Sequence, residues 1–517
     1  MIRTVRTFAL VGVAPVPVRV EVSIRRGTPG IHASGLASGA ARASAERIRA
    51  AAAALGLKVP GLRITVNLAP ADLPKDGAAY DLPIAVGILA PDLAAPGPRR
   101  RLATTALVGE MGLDGSLRPV RGALAIALRC VDEPGLESLI VPEASLHETA
   151  GATGVRVHGA PNLLAVLDHL ATGRPLPRPG APPPLRDDPE QADLAEVRGQ
   201  ETAKRALEIA AAGGHHLLLS GEPGAGKTML ARRLPGILPP LSPAQSLETT
   251  VIHGVAGALP ADGAPLRRPP FRTPHHSVSV AGLLGGGGVP RPGEASLAHN
   301  GVLFLDELPE FRPAALEALR APLEEGVVHI VRARSSVSFP ARFQLVAAMN
   351  PCPCGFRTSG SGTCTCDEGT VRRYLGRVSG PLADRFDLRL EVPAVLWREL
   401  RPGAGPGGSS AEARARVRQA RARAASRDAR PGGGPGAAPT TNARIPARDL
   451  ASVCRIDARA ERVLGEATAR HSLSARGVHR VLRVARTIAD LAGNDRVTAD
   501  DVAEALHFRG RPPGRGP

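Results

Sequence analysis

The chemistry is concentrated in three short segments. Residues 217–219 (LLL) read as a buried strand and run into Gly221-Glu222-Pro223-Gly224-Ala225-Gly226-Lys227-Thr228, after which MLARR reads as helix. Glycines in such a loop let backbone N–H groups turn onto phosphate oxygens, and the following helix N-terminus adds a favourable dipole. Lys227 then reaches the β- and γ-phosphates and the Thr228 hydroxyl faces Mg²⁺. Further on, VLFL at 302–305 ends in Asp306 and Glu307. Four apolar residues make a fully buried parallel strand, with the acids emerging at its carboxyl end beside the loop. Asp306 is placed to hold Mg²⁺ and Glu307 to polarise an attacking water. A third apolar strand, 343–348, ends in Met349-Asn350, whose amide can orient the same water or simply cap the strand. The expected activity is nucleoside triphosphate hydrolysis.

Lysine is scarce here, which makes Lys227 informative. Only four of the 65 basic residues are lysines: Lys58, Lys75, Lys204 and Lys227. The net charge of +17 is therefore carried by arginine in a chain with 58 glycines and 50 prolines. Much of it reads as a codon-usage skew and only weakly as a nucleic-acid footprint.

Four of the six cysteines, Cys352, Cys354, Cys364 and Cys366, form two CxC pairs. Six cysteines in 517 residues are too few for a disulfide scaffold and fit a reducing compartment. The cluster is a candidate Zn²⁺ site, with reversible disulfides or free thiols as the alternatives. Cys130 and Cys454 lie in apolar helical contexts and read as core.

These residues need a frame. At 517 residues the chain has room for about three domains, and no apolar run approaches the ~20 residues of a membrane span. The apolar start, 8–18, is broken by Pro15 and Pro17 and continues as strand-like alternation. It reads as the first strand of a cytoplasmic protein rather than a signal peptide. Residues 1–171 mix strands (63–68, 139–141) with an alanine-rich helix (44–55), and a proline-rich linker covers 172–192. A nucleotide-binding α/β domain spans 193–395, with the cysteine insertion at 352–366. A basic, glycine-rich connector fills 396–447 and contains a candidate helix at 411–427. An all-helical unit follows at 448–510.

The loop, the Leu-Asp-Glu strand and the polar Asn350 together resemble AAA+ ATPases. More narrowly, FRTPHHS at 271–277, PGEASLAH at 292–299, residues 301–311, 349–355 and GPLADRFD at 380–387 resemble the magnesium-chelatase-like branch, and best the ComM/YifB family. The likeness runs from about residue 20 to 509. It implies an α/β architecture: a Lon-protease-like α+β N-terminal domain, a P-loop parallel-sheet domain and a C-terminal helical lid. It also implies ATP and Mg²⁺, and a homo-hexameric ring. By the same resemblance Arg385 is an arginine finger reaching a neighbour's γ-phosphate, and Arg476 is a second sensor that closes the lid over ATP. A guanidinium from a neighbour ties hydrolysis to assembly.

Asp72–Gly77 and Gly109–Gly115 carry the Lon likeness, yet no Ser or Thr lies between Lys75 and Leu89 and no lysine lies between Gly109 and Lys204. The serine–lysine pair a protease needs is missing, so the domain is expected to serve assembly or DNA handling. Lys75 and Asp81 are its most distinctive polar residues. The long stretch between phosphate loop and acid strand suits a loop facing a ring's channel, with Phe271, Arg272, His275 and His276 as DNA contacts. Arg332 and Arg334, on an expected hairpin at 326–340, are further candidates. The leading expectation is an ATP-driven motor on single-stranded or branched DNA, a branch-migration helicase in recombination or natural transformation. The ATPase subunit of a magnesium chelatase and a protein-remodelling ATPase are the alternatives.

Overall fold

Alternation of apolar and polar residues builds the first sheet. In the strand Ala14–Arg25, Val18, Val20 and Val22 are buried while Arg19 is exposed, the period-two pattern of a strand with one covered face. The computed structural model describes residues 2–36, 38–71, 73, 75, 78–90, 95–180, 192–260, 264–332, 335–358, 364–395, 408–428, 441–471 and 473–510.

Seven strands form the N-terminal sheet in the order Gly30–Ser34, Arg63–Ala69, Ala14–Arg25, Ile2–Val11, Thr105–Leu107, Ser138–Pro142, Arg156–Ala160. The two longest pair antiparallel, and the last three strands run parallel to Ile2–Val11. Helices Ser38–Ala54, Asp81–Leu89, Ala123–Val131 and Leu163–Thr172 pack around it. The strands expected at 63–68 and 139–141 and the helix at 44–55 are present, each extended at one or both ends.

The second domain holds a five-stranded sheet in the order Phe271–Arg272, Val302–Leu305, Gln344–Met349, Leu217–Gly221, Leu388–Val392, with all neighbours parallel. Its three central strands are almost wholly buried, which explains their uninterrupted apolar runs. From Leu217–Gly221 the chain crosses to the far edge, returns strand by strand, and then passes to the other side for Leu388–Val392. The order therefore reverses beside Leu217–Gly221, and a ligand crevice is expected at the carboxyl ends there.

The helices Ser410–Asp428, Leu450–Cys454, Ala458–His471, Ala475–Ala492 and Ala499–Arg509 make the C-terminal unit. Ser474 caps Ala475–Ala492 by accepting from the Gly477 N–H, and left-handed Gly493 ends it. Val481, Val484 and Ile488 share one continuous core with Leu217 and Leu219 of the sheet and with Val417. Below the strands, His215 Nδ1 meets Asp387 at 3.3 Å while its Nε2 meets Thr487 of the C-terminal helix at 2.8 Å. The helical unit is thus fastened to the strand that carries the phosphate loop.

The first two domains also touch. The turn between Ile2–Val11 and Ala14–Arg25 sets Gly12 against Val337, with Val11 and Val13 packed on the second domain's core. Helix Ala123–Val131 lies on helix Pro243–Ala256. Among the described residues no helix is long and apolar enough to cross a membrane.

Candidate functional site

The three carboxyl-terminal strand ends deliver their polar residues to one crevice. Gly224 and Gly226 of the loop after Leu217–Gly221 have φ of +80° and +87°, the left-handed region that favours glycine, and a side chain there would enter open space. Helix Lys227–Ala231 starts at once. Lys227 is buried, its Nζ donating to the carbonyls of Gly221 and Glu222 at 2.7 and 2.8 Å and to Asn350 Oδ1 at 3.0 Å. Burial lowers its pKa, against the opposing pull of Asp306 and Glu222. Asn350 is therefore tied to the loop lysine.

Thr228 Oγ1 donates to Asp306 Oδ2 at 2.7 Å, and Asp306 Oδ1 accepts from the Glu307 N–H at 3.0 Å. Two hard oxygen ligands thus stand together beside the phosphate loop, a donor set that suits Mg²⁺. Glu307 adopts φ +52° and ψ +48°, a left-handed conformation that costs a non-glycine residue about 1–3 kcal/mol. That conformation turns its carboxylate out of the strand line. The carboxylate is exposed, with Oε2 3.5 Å from His276 Nδ1.

Arg385 and Arg476 lie elsewhere. They line a separate cavity of about 580 Å³ with Arg320, Arg480, Arg509 and Glu324. Arg385 pairs with Glu324. Its pKa is lowered by burial and by the charges of Arg480, Arg320 and Arg476. Arg385 Nε and Arg480 Nη1 are buried without a hydrogen-bond partner. Such a guanidinium cluster is built for an anion. Leu388 pairs with Leu217 and Val392 with Gly221, so Arg385 precedes its strand at the sheet's amino end while the phosphate loop leaves at the carboxyl end. The strand between spans about 15 Å at ~3.3 Å per residue. The lid therefore does not bring Arg476 over its own chain's phosphate loop; it sits with Arg385.

The candidate DNA contacts separate. Phe271 stacks on Phe304 at 5.9 Å, and Arg272 makes two hydrogen bonds to Glu294 at 2.7 and 2.8 Å. Both lie on the sheet's edge strand and are half-buried. His275 is exposed, and its ring lies 4.0 Å from that of His276, which faces Glu307. Arg332 is exposed at the tip of the hairpin Val327–Arg332 and Ser335–Pro340, beside Val331 at 76% exposure. Arg334 lies outside the described residues.

The four cysteine sulfurs all lie within 4.8 Å of one another. In the N-terminal domain Asp81 is held by Arg47 and Ser44, each at 2.6 Å, and Lys75 is buried and donates to backbone carbonyls. Sequence reasoning did not find the His276–Glu307 contact or the company Arg385 keeps. Among so many arginines nothing in the spacing singles out Arg320, Arg480 or Arg509.

Comparison with known proteins identifies the family. The family model described as magnesium chelatase, subunit ChlI, matches residues 193–400; those for subunit ChlI of Mg-chelatase and for the ChlI C-terminal part match 20–145 and 407–509. The chain belongs to the magnesium-chelatase-like family that includes YifB and ComM. It is 46% identical to an uncharacterized protein of Mycobacterium tuberculosis over 95% of both chains. It is 42% identical to YifB of Escherichia coli, covering 98% of this chain and 96% of that one. With the competence protein ComM of Haemophilus influenzae it shares 39% identity, over 97% and 96% of the two chains. This places it among AAA+ ATPases.

Proposed function

We propose that the chain is the subunit of a homo-hexameric ring that hydrolyses ATP to move single-stranded or branched DNA, a ComM-like branch-migration motor. The observation that carries the ring is the separation of Arg385 and Arg476 from Lys227 on opposite ends of one sheet. A cavity lined by five arginines has no phosphate of its own chain to meet. A neighbour that presents its phosphate loop to this cavity completes the site. Lys227 then neutralises the β- and γ-phosphates, and Glu307 accepts the proton of the attacking water. Arg385 and Arg476 balance the charge that develops on the transferred phosphoryl group. Thr228 and Asp306 would hold Mg²⁺, which would supply neutralisation of the phosphate charge.

DNA as the substrate is supported by the net charge of +17, by the exposed Val331–Arg332 hairpin tip, and by a competence protein among the relatives. The N-terminal domain acts without proteolysis, in assembly or DNA handling, and the protein works in the cytoplasm. The test is the ATPase rate with and without single-stranded and four-way-junction DNA at fixed salt. Several-fold stimulation is expected. A rate indifferent to both DNAs defeats the DNA assignment and favours the second reading, a chelatase-type ATPase subunit, which the family description supports.

A further inference from the structure

The segment 351–367, among its described residues, contains no helix or strand, and only Pro351, Cys352 and Gly355 in it are buried. Phe356, its one large apolar side chain, is 39% exposed. Apolar burial therefore does little to fix this loop, yet the loop is pressed against the ATP site. Cys352 follows Asn350, the acceptor of the Lys227 ammonium, by two residues. Gly355, at φ +88°, lies so close to the phosphate loop that a Cβ would come within 2.5 Å of Pro223 Cγ and Cδ. The Gly355 N–H closes the turn on the Cys352 carbonyl at 3.0 Å.

We propose that Cys352, Cys354, Cys364 and Cys366 bind one Zn²⁺, and that this metal braces Asn350 and Pro223 in the ATP site. This rests on the reading of Lys227 as the phosphate lysine. The sulfurs of Cys352, Cys354 and Cys364 stand 3.3, 3.7 and 3.6 Å apart, with Cys366 inside the same 4.8 Å group. Four thiolates at ~2.3 Å from one tetrahedral metal lie about 3.8 Å from each other. An iron–sulfur cluster places irons and sulfides between its cysteines and needs a wider cage. The soft, all-sulfur set selects zinc over Mg²⁺. Each thiol gives its proton to solvent as the metal binds. The two CxC pairs come from either side of 359–363, so the metal closes this loop at its base. The strand end at Asn350 and the phosphate loop at Pro223 are then held at one separation.

The experiment measures zinc by mass spectrometry on the purified full-length protein, and affinity for a fluorescent non-hydrolysable ATP analogue with Mg²⁺. One zinc per chain is expected. Titration of the thiols with a mercurial should release it and weaken nucleotide binding roughly tenfold, with the helical circular-dichroism signal retained. Gly355→Ala should keep the zinc and lose similar affinity, because its Cβ displaces Pro223. Lys227→Ala should lose nucleotide and keep zinc, so a failure of the ATP-site reading shows as wild-type protein that holds zinc without nucleotide. Wild-type protein without zinc, whether its four thiols are free or paired, overturns the proposal. So does metal-free protein whose nucleotide affinity is unchanged, or whose helical signal collapses with the metal.

Discussion

Lys227 is the residue on which the crevice turns. Its ammonium is buried and satisfied by three oxygens, two of them backbone carbonyls of the loop itself, so an incoming phosphate replaces good partners rather than water. Lys227→Ala removes a charge-assisted donor worth about 1.5–3 kcal/mol per bond and should weaken ATP binding at least about tenfold by equilibrium titration. Glu307 differs in kind. It is exposed, with its carboxylate 3.5 Å from His276 Nδ1, so Glu307→Gln should leave ATP bound. Steady-state turnover should fall about 10²- to 10⁴-fold, the usual worth of a positioned general base. Retained turnover in that variant would remove Glu307 from the water.

Elements bring these residues together, and they differ in how plainly the sequence announces them. The three apolar runs that end in Gly221, Asp306 and Asn350 were legible because a parallel strand buried on both faces has to be apolar throughout. The loop and helix after Leu217–Gly221 were legible for their glycines and a rare lysine. For Phe271 and Arg272 the fold adds partners that spacing could not show, the Phe304 ring and the Glu294 carboxylate. The guanidinium cavity was illegible: its members come from 320 to 509 and meet only through the fold. Two buried groups at element junctions carry predictions. Burial lowers His216 to about 4 from 6.5, and its Nδ1 accepts from the Leu345 N–H at 2.9 Å. The unfolded chain takes up that proton first, so this contribution is full above about pH 6.5 and is lost toward pH 4. Urea midpoints should fall between pH 7 and pH 5, with a shallower slope in His216→Asn. Glu148, facing Gly254 of the second domain, is raised to about 7 by burial and its Oε2 has no hydrogen-bond partner. A carboxyl raised in the folded state loses stability as pH rises from 4.5 through 7. Glu148→Gln should therefore stabilise the protein at pH 8 by about 1–2 kcal/mol, read as a higher thermal midpoint, with little gain at pH 5.

At the scale of the molecule, one chain holds two half-sites facing away from each other. The carboxyl ends of the parallel strands offer a phosphate loop, two acids and an amide; the amino end and the helical unit offer five guanidinium groups. The helical unit is fixed to the sheet through the His215, Asp387 and Thr487 contacts and a shared core. Burial opposes the charge on Asp387, but the hydrogen bond and charge of His215 outweigh it and hold the carboxyl at about 2, so the carboxylate stays ionised at neutral pH. In the ring proposed above, binding and hydrolysis are divided between neighbours. The most direct test is to mix two inactive proteins. Lys227→Ala supplies intact arginines without a phosphate lysine, and Arg385→Ala supplies an intact phosphate loop without its finger. Each alone should hydrolyse ATP at least about 10³-fold more slowly than wild type, while Arg385→Ala still binds it. Mixed subunits should regain a substantial fraction of the wild-type rate, because some interfaces then combine two intact halves. A mixture as inactive as its components, or an Arg385→Ala protein that turns over ATP normally, would contradict the shared site.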